Sequence, residues 1–224
     1  LERGEMPSEA GTTWTIVVAA GSGSRFGGGT PKQFIEIAGK RVVDWSVVAA
    51  SSVSDGIVVV TPKGSTVTVS AHGLRCEVVC VTGGDSRSES VRRGLAKVPD
   101  GVDIVLVHDA ARPAASPDLM AQVVAAVRGG ADAVVPVVDV VDTIRDLDGN
   151  TIDRSQLQAV QTPQGFSAAI LRQAHASGAQ ATDDATLVRS VGGNTVVVPG
   201  ERWNIKVTEP DDAVVVAALL GARS

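Results

Sequence analysis

The stretch TIVVAAGSGSR at residues 15–25 decides the fold. It begins as a run of β-branched and apolar residues, which is typical of a buried strand, and it ends as a glycine-rich turn. Four later apolar runs have the same character, and amphipathic stretches separate several of them. We predict strands at residues 15–20, 56–61, 77–82, 103–108 and 131–138. We predict helices at residues 42–52, 86–98 and 117–128.

The continuous apolar character of these strands indicates burial on both faces, as in a parallel sheet whose crossover connections are helices. The sequence therefore predicts a doubly wound α/β fold with a mostly parallel, Rossmann-like sheet. In such sheets ligands bind at the carboxyl ends of the strands, so the residues that follow each strand are the candidates for function.

One segment, residues 138–160, interrupts this alternation of strands and helices. A DGN turn at residues 148–150 separates two potential strands at residues 140–147 and 151–157, which predicts a protruding β-hairpin arm. An isolated hairpin is only marginally stable in water. We therefore expect the arm to pack against another subunit or back on the main sheet.

The length of 224 residues and the hydrophobic content of 44% suit one α/β domain. We place this domain at residues 13–224, with the arm included, and expect the polar residues 1–12 to be a disordered extension. The net charge of -5 and the pI near 5.2 argue against a surface that neutralises nucleic-acid phosphates. The sequence therefore predicts no nucleic-acid partner.

Apolar segments and cysteines in the sequence predict the cellular compartment of the protein. No apolar stretch approaches the roughly 20 residues that a transmembrane helix needs, and the start of the chain lacks the layout of a signal peptide. On a strand, Cys76 and Cys80 would lie roughly 13 Å apart, too far for a local disulfide, so we expect two buried thiols. These features predict no membrane association and a cytoplasmic location.

The glycine-rich loop after the first strand carries the strongest functional signal. Its glycines allow backbone amides to approach an anion, and Arg25 and Lys32 place positive charge beside it. The alternative is an ordinary turn between a strand and a helix, but the arginine and the Pro-Lys pair argue against it. The loop lacks the Walker pattern, and Phe26 replaces the third glycine of a dinucleotide-binding loop. The pattern therefore indicates an anion-binding loop and disfavours a dinucleotide cofactor.

Two further motifs follow predicted strands, GGDSRSESV at residues 83–91 and HDAARP at residues 108–113. Asp109 could help to organise magnesium, and Asp85 and Ser90 could form hydrogen bonds to a ribose or a base. Helix N-capping is the alternative role for Asp109 and Ser90.

Lys206 is a candidate near the end of the chain, within the motif NIKVT at residues 204–208. This segment is otherwise apolar and has the composition of a strand. The pattern leaves two interpretations open, a solvated lysine at a sheet edge or a buried phosphate ligand.

Taken in order, the motifs resemble those of the 2-C-methyl-D-erythritol 4-phosphate cytidylyltransferases. The resemblance spans residues 16–212. Two of the motifs, HDAARP and NIKVT, are specific to this family and its close relatives, whereas the glycine-rich loop is shared by many nucleotidyltransferases. The matching motifs are AAGSGSR, TPKQ, GGDSRSESV, HDAARP, VDTI, DR, TPQ and NIKVT.

The resemblance implies a nucleotidyltransferase that uses CTP and magnesium to transfer a cytidylyl group to a small polyol phosphate, with release of pyrophosphate. The catalytic residues that it implies are Arg25, Lys32 and Lys206. The nucleotide-binding residues that it implies are Ala19, Ala20, Gly21, Gly23, Gly84, Asp85, Ser90 and Asp109. The substrate-binding residues that it implies are Arg112, Thr143, Arg154, Thr162 and Lys206. Because Thr143 and Arg154 lie on the arm, they are expected to reach a neighbouring subunit's site, which implies a homodimer.

Two alternatives stay open at this point. Ribitol 5-phosphate cytidylyltransferases have such similar motifs that one sequence separates the two enzymes poorly. A catalytically silent nucleotide-binding subunit could also use this fold, because fold and function are separable. The presence of Arg25, Lys32 and Lys206 argues against a silent subunit.

Overall fold

The computed structural model describes residues 11–21, 26, 31–66, 68–69 and 73–222. Its strands, numbered in chain order, are β1 Thr13–Val18, β2 Glu36–Ile37, β3 Lys40–Arg41, β4 Gly56–Thr61, β5 Glu77–Thr82, β6 Ile104–Asp109, β7 Ala133–Asp139, β8 Ile144–Arg145, β9 Thr151–Ile152, β10 Gln158–Val160, β11 Gln164–Ser167 and β12 Thr195–Pro199. Its α-helices are α1 Val42–Ala50, α2 Arg87–Leu95, α3 Pro117–Arg128, α4 Ala168–Ala176, α5 Asp184–Ser190 and α6 Pro210–Gly221. Within the described ranges, no helix is long and apolar enough to span a bilayer.

All five predicted strands and all three predicted helices are present. The predicted bounds are correct for β4, β5 and α3, and the other elements differ by one to three residues at their ends. Residues 1–10 of the predicted extension lie outside the described residues. At the end of that extension, the backbone N–H of Thr12 donates to Asp103 Oδ2 at 2.8 Å, next to the start of β1.

The main sheet has eight strands, and its core is parallel. Strand β1 lies between β6 and β4, and β5 follows β4 at one edge, with all of these pairs parallel. On the other side β11 runs antiparallel between β6 and β7, while β12 pairs with β7 in parallel. The prediction of a mostly parallel sheet is therefore confirmed.

Helices cover both faces of this sheet because successive apolar side chains of each strand point in opposite directions. Ile16 packs with α2, α4 and α5 in one core cluster. Its neighbour Val17 packs with α1 in another cluster, and Leu106 packs against α3 on that same side. The fold is therefore doubly wound, as predicted, and the carboxyl ends of β1, β4, β5 and β6 share one edge.

Strand β5 departs from the expectation of burial on both faces. It is the edge strand next to β4, and each of its residues is exposed or half-buried. The two thiols, which we expected to be buried, are half-buried at Cys76 and exposed at Cys80. The expectation was wrong because an apolar run alone does not distinguish an edge strand from a central one. Both thiols are free, as predicted.

The predicted arm is present, but its hairpin is shorter than predicted. β8 and β9 pair antiparallel over two residues each, and they form a small sheet separate from the main one. The chain then makes a 3-10 turn at Arg154–Gln156 and returns to the main sheet through β10, which pairs with β7. Most of the arm is exposed on both faces, so little burial is available to extend the strand pairing.

Candidate active site

A cavity of about 600 Å³ opens at the carboxyl ends of β1, β4, β5 and β6. This is the edge of the sheet at which the sequence predicted a ligand. The predicted site residues that line it are Ala19, Ala20, Gly21, Lys32, Gly84, Asp85, Ser90, Asp109 and Lys206. Two other predicted residues, Gly23 and Arg25, lie outside the described residues.

The loop after β5 packs closely against the loop after β1. A Cβ atom added at Gly83 would lie 2.4 Å from the Cβ of Ala20, so only glycine allows this approach. The hydroxyl of Ser90 accepts from the Gly84 N–H at 3.1 Å and donates to the Ser86 carbonyl at 2.9 Å. The N-cap of α2 is Ser86, so the capping alternative for Ser90 was wrong. Ser90 instead fixes the Gly84 backbone at the cavity.

Gln33 holds the other loop, a role that was not predicted from the sequence. Its side-chain amide donates to the carbonyl of Ala19 at 2.6 Å and to that of Gly21 at 3.1 Å. The side chain is buried, and these two bonds orient the segment in which β1 ends at the cavity. The only sequence signal was the position of this glutamine directly after Lys32 in the TPKQ motif.

Asp109, the last residue of β6, lies between two cations. Its Oδ2 is 2.6 Å from Lys206 Nζ, and its Oδ1 is 3.7 Å from Arg87 Nε. Burial would raise the pKa of Asp109, but the charges of Lys206 and Arg87 and the hydrogen bond from Lys206 lower it to about 2. The capping alternative was wrong here too, because the next helix, α3, begins at Pro117 with Ser116 as its N-cap. Asp109 is therefore an ionised carboxylate in the cavity wall.

Arg87 is a second site residue that was not predicted from the sequence. It lines the cavity, and its Nη1 donates to Asp184 Oδ2 at 2.6 Å. The other oxygen of Asp184 lies 2.9 Å from His175 Nε2. Arg87 stands in the GGDSRSESV motif and Asp184 follows Asp183 in the chain, but nothing in the sequence indicates that the two residues meet.

Residues 204–208 belong to no strand or helix, although their composition suggested a strand. The carbonyl of Val207 accepts from Lys32 Nζ at 2.7 Å, and its N–H donates to the carbonyl of Ala111 at 2.7 Å. The next residue back, Lys206, has 45% of its side chain exposed and pairs with Asp109. This one segment thus brings Lys32 and Lys206 to the end of β6.

Thr162 lies behind the cavity wall. Its hydroxyl accepts from the Asp109 N–H at 3.0 Å and contacts His108 Nδ1 at 3.1 Å. Burial lowers the pKa of His108 to about 4, so this imidazole is neutral near pH 7. Its Nε2 faces the carbonyl of Arg112 at 3.2 Å, which requires the proton on Nε2 and leaves Nδ1 to accept from the Thr162 hydroxyl. The buried chain therefore orients Asp109.

The remaining predicted substrate residues lie outside the cavity. Arg112 Nη1 donates to the carbonyl of Asn204 at 2.7 Å, and burial lowers the pKa of this guanidinium. Thr143 is exposed on the arm, where Arg154 donates to the carbonyl of Val141. The structure therefore places Arg112 beside the segment that carries Lys206, and it leaves the two arm residues in a separate surface region, with a cleft around Arg154.

The cavity fits a magnesium ion only if the ion is shared with a ligand. Among the described residues, no group of three or more His, Cys, Asp and Glu side chains could hold a metal alone. Magnesium is usually held by one or two carboxylates together with substrate phosphates and water. Asp109 supplies one ionised carboxylate in the wall of a cavity that Lys32, Arg87 and Lys206 also line.

The depressed pKa of Asp109 predicts a pH-dependent contribution to stability. An unfolded aspartate has a pKa of about 3.9, so the charged carboxylate stabilises the fold above about pH 4, and this contribution is lost as the pH falls toward about 2. We expect Asp109→Asn to lower the free energy of unfolding by about 2 kcal/mol at neutral pH. Urea unfolding of the wild type and of Asp109→Asn, from neutral pH down to about pH 2, should show that the difference between their free energies of unfolding shrinks in acid. A difference that stays constant with pH would contradict the depressed pKa of Asp109.

Comparisons with known proteins show which family the chain resembles over nearly its whole length. The family model described as IspD, 2-C-methyl-D-erythritol 4-phosphate cytidylyltransferase, matches residues 13–222. A cytidylyltransferase of that name from Streptomyces avermitilis is 41% identical over 97% of this chain and 95% of its own length. The one from Rhodococcus jostii is 42% identical over 96% of this chain and 98% of its own.

A solved structure supports the same relationship. The crystal structure of 2-C-methyl-D-erythritol 4-phosphate cytidylyltransferase from Thermus thermophilus has a TM-score of 0.78 and 34% sequence identity. The alignment covers 96% of this chain and 99% of that one. Sequence and fold agree over nearly the whole length of both chains, and this chain therefore belongs to the 2-C-methyl-D-erythritol 4-phosphate cytidylyltransferase family.

Proposed function

We propose that this chain transfers a cytidylyl group from CTP to 2-C-methyl-D-erythritol 4-phosphate, giving 4-diphosphocytidyl-2-C-methyl-D-erythritol and pyrophosphate, a step of isoprenoid biosynthesis. The observation that carries the proposal is the cavity in which Arg87 and Lys206 flank Asp109 and which Lys32 also lines. Membership of the family supports the choice of both substrates.

The nucleoside end of CTP fits the part of the cavity that is built from backbone and short side chains. The loop at Ala19–Gly21 lies on one side, and Gly84 and Asp85 lie on the other. Backbone N–H and carbonyl groups can pair with the edge of a base without large side chains, which suits a compact pyrimidine. Ser90 and Gln33 hold these two loops in place. The base is therefore selected by a fixed backbone.

With the nucleoside in this position, the triphosphate of CTP points toward Lys32 and Lys206. In the reaction, a phosphate oxygen of the polyol phosphate attacks the α-phosphorus of CTP, a new P–O bond forms, and the bond to the leaving pyrophosphate breaks. Both reactants are anions, so positioning and the stabilisation of negative charge dominate catalysis. Lys32, Lys206 and Arg25 are the residues that we assign to this role, and no covalent enzyme intermediate is required.

Magnesium, when bound, would supply further positive charge at the phosphates. Asp109 is the residue that we propose to hold it. The Thr162 hydroxyl and neutral His108 fix the backbone of Asp109, and Arg87 and Lys206 orient its carboxylate.

The polyol phosphate is assigned to Lys206 and Arg112 and to two residues of the arm, Thr143 and Arg154. Thr162, to which the resemblance gives the same role, lies behind the cavity wall and acts on it through Asp109. Because the arm residues do not line this chain's cavity, we propose a homodimer in which each arm completes the partner's site. The arm also exposes apolar side chains that a partner would cover. These are Val141, Leu147, Ile152 and Val160. A cytoplasmic location stays a prediction.

A pyrophosphate-release assay tests the proposed function directly. CTP, UTP, ATP and GTP are each combined with 2-C-methyl-D-erythritol 4-phosphate and with ribitol 5-phosphate. We expect the fastest release with CTP and the methylerythritol phosphate. Lys32→Ala should lower turnover about 100-fold, because it removes a cation from the reacting phosphates.

The matched control for that variant is Lys97→Ala, which removes an exposed lysine beyond the end of α2 and should keep full activity. Equal loss in both variants would indicate a general effect on folding and would contradict the role of Lys32. Faster release with ribitol 5-phosphate would replace the proposed substrate. Nucleotide binding without release would instead favour the silent subunit.

The shared site predicts rescue between two inactive proteins. Lys32→Ala and Arg154→Ala should each be inactive, yet a mixed dimer contains one site with an intact Lys32 from one chain and an intact Arg154 from the other. Mixing the two proteins should restore activity up to about a quarter of wild type per dimer, given random exchange. Mass spectrometry would establish that subunits exchange. Exchange without recovered activity would contradict the shared site and leave the proposed reaction intact.

A further inference from the structure

We propose that the buried pair Asp184 and His175 is a positioning pair for the nucleotide site, and that it acts through Arg87 on Asp109. This inference rests on the proposed function, because it concerns how the same cavity binds its nucleotide. Neither Asp184 nor His175 lines the cavity, and both are almost fully buried beneath it.

The four side chains form one continuous chain of contacts. His175 Nε2 lies 2.9 Å from Asp184 Oδ1, and Asp184 Oδ2 accepts from Arg87 Nη1 at 2.6 Å. On its other edge, Arg87 Nε faces Asp109 Oδ1 at 3.7 Å. Each carboxylate contacts its two neighbours through different oxygens, so the chain runs from α4 through α5 and α2 to the end of β6.

The two cations beside Asp109 differ in how firmly they are held. The Lys206 side chain is 45% exposed and lies on a segment without regular structure. The Arg87 side chain is 24% exposed, it begins α2, and its guanidinium is bonded to a carboxylate that has no exposed surface. Arg87 is therefore the fixed counterion of Asp109, and Lys206 is the one that is able to leave.

This difference matters when anionic phosphates enter the cavity. Phosphate oxygens compete with Asp109 for the ammonium group of Lys206. If Lys206 turns toward them, Arg87 still faces Asp109 and keeps its carboxylate charged and oriented. Asp184 prevents Arg87 from following Lys206, because release of Arg87 would leave a buried carboxylate without a cationic partner.

The pair of Asp184 and His175 is not needed merely to hold α2, α4 and α5 together. Asp183, not Asp184, caps α5 by accepting from the Thr186 N–H at 2.9 Å. Ser88 of α2 bonds to both the carbonyl and the N–H of Ala181 at 3.2 Å, just before α5. Apolar residues of α2, α4 and α5 also share one core cluster. The helices therefore have capping, hydrogen-bond and apolar contacts that do not involve the charged pair, and Asp184 is available to position Arg87.

The test measures CTP affinity by calorimetry, and kcat/KM for CTP, in four variants with magnesium present. These are Asp184→Asn, Arg87→Gln, the double variant with both changes, and the control Asp183→Asn. The control makes the same chemical change one residue away, and asparagine keeps the N-cap. We expect Asp184→Asn, Arg87→Gln and the double variant to lose at least about tenfold in both quantities, and Asp183→Asn to stay within about twofold of wild type.

Thermal unfolding separates positioning from a structural role. Arg87→Gln leaves the buried Asp184 carboxylate without its arginine, and Asp184→Asn leaves Arg87 with one carboxylate in place of two, so each single variant should unfold at a lower temperature. The double variant removes both members of the ion pair and should recover much of that loss. Recovered stability without recovered CTP affinity supports the proposal. Recovery of both, or wild-type affinity in a folded Asp184→Asn protein, overturns it. If the wild type binds CTP but releases no pyrophosphate, the proposed function fails, and the affinities alone still decide this inference.

Discussion

The site depends on a single carboxylate held between two cations. Asp109 ends a buried strand, and its charge is retained because Lys206 and Arg87 offset the cost of burial. Other contacts in the cavity wall place these three groups. The backbone of Asp109 is fixed by Thr162, Arg87 is fixed by Asp184, and Lys206 lies on a segment tied to the strand end. Loss of the central charge would leave Lys206 and Arg87 repelling each other in the cavity wall.

The fold brings the residues of this network together. Parallel strands end at one edge of the sheet, so the sheet itself brings together loops that are far apart in the sequence. The loops after β1, β5 and β6 form the cavity wall, and residues 204–208 cross it to bring the last lysine. The same geometry separates two tasks. Backbone groups and short side chains form the side of the cavity that we propose for the nucleoside, and the cations lie on the side that we propose for the phosphates, where negative charge would develop during the transfer.

The sequence predicted the fold well because periodic apolar runs determine both strand position and sheet burial. It also predicted the cavity residues of the glycine-rich and HDAARP loops, since strand ends are where ligands bind. It failed where tertiary context decides the outcome. Edge exposure of β5, the short arm strands and the irregular Lys206 segment depend on neighbours that no local pattern reveals. Arg87 and Asp184 were missed because their contact joins residues 97 positions apart, through burial that composition does not indicate.

A crystal structure of the protein with CTP and magnesium is the most direct test of this account. We expect the triphosphate inside the cavity, with Lys206 Nζ moved from Asp109 to a phosphate oxygen. We also expect Arg87 to keep its 2.6 Å bond to Asp184. A nucleotide bound elsewhere, or a bound triphosphate with Arg87 released from Asp184 and Lys206 still on Asp109, would contradict the view that Asp109 is the fixed centre of the site.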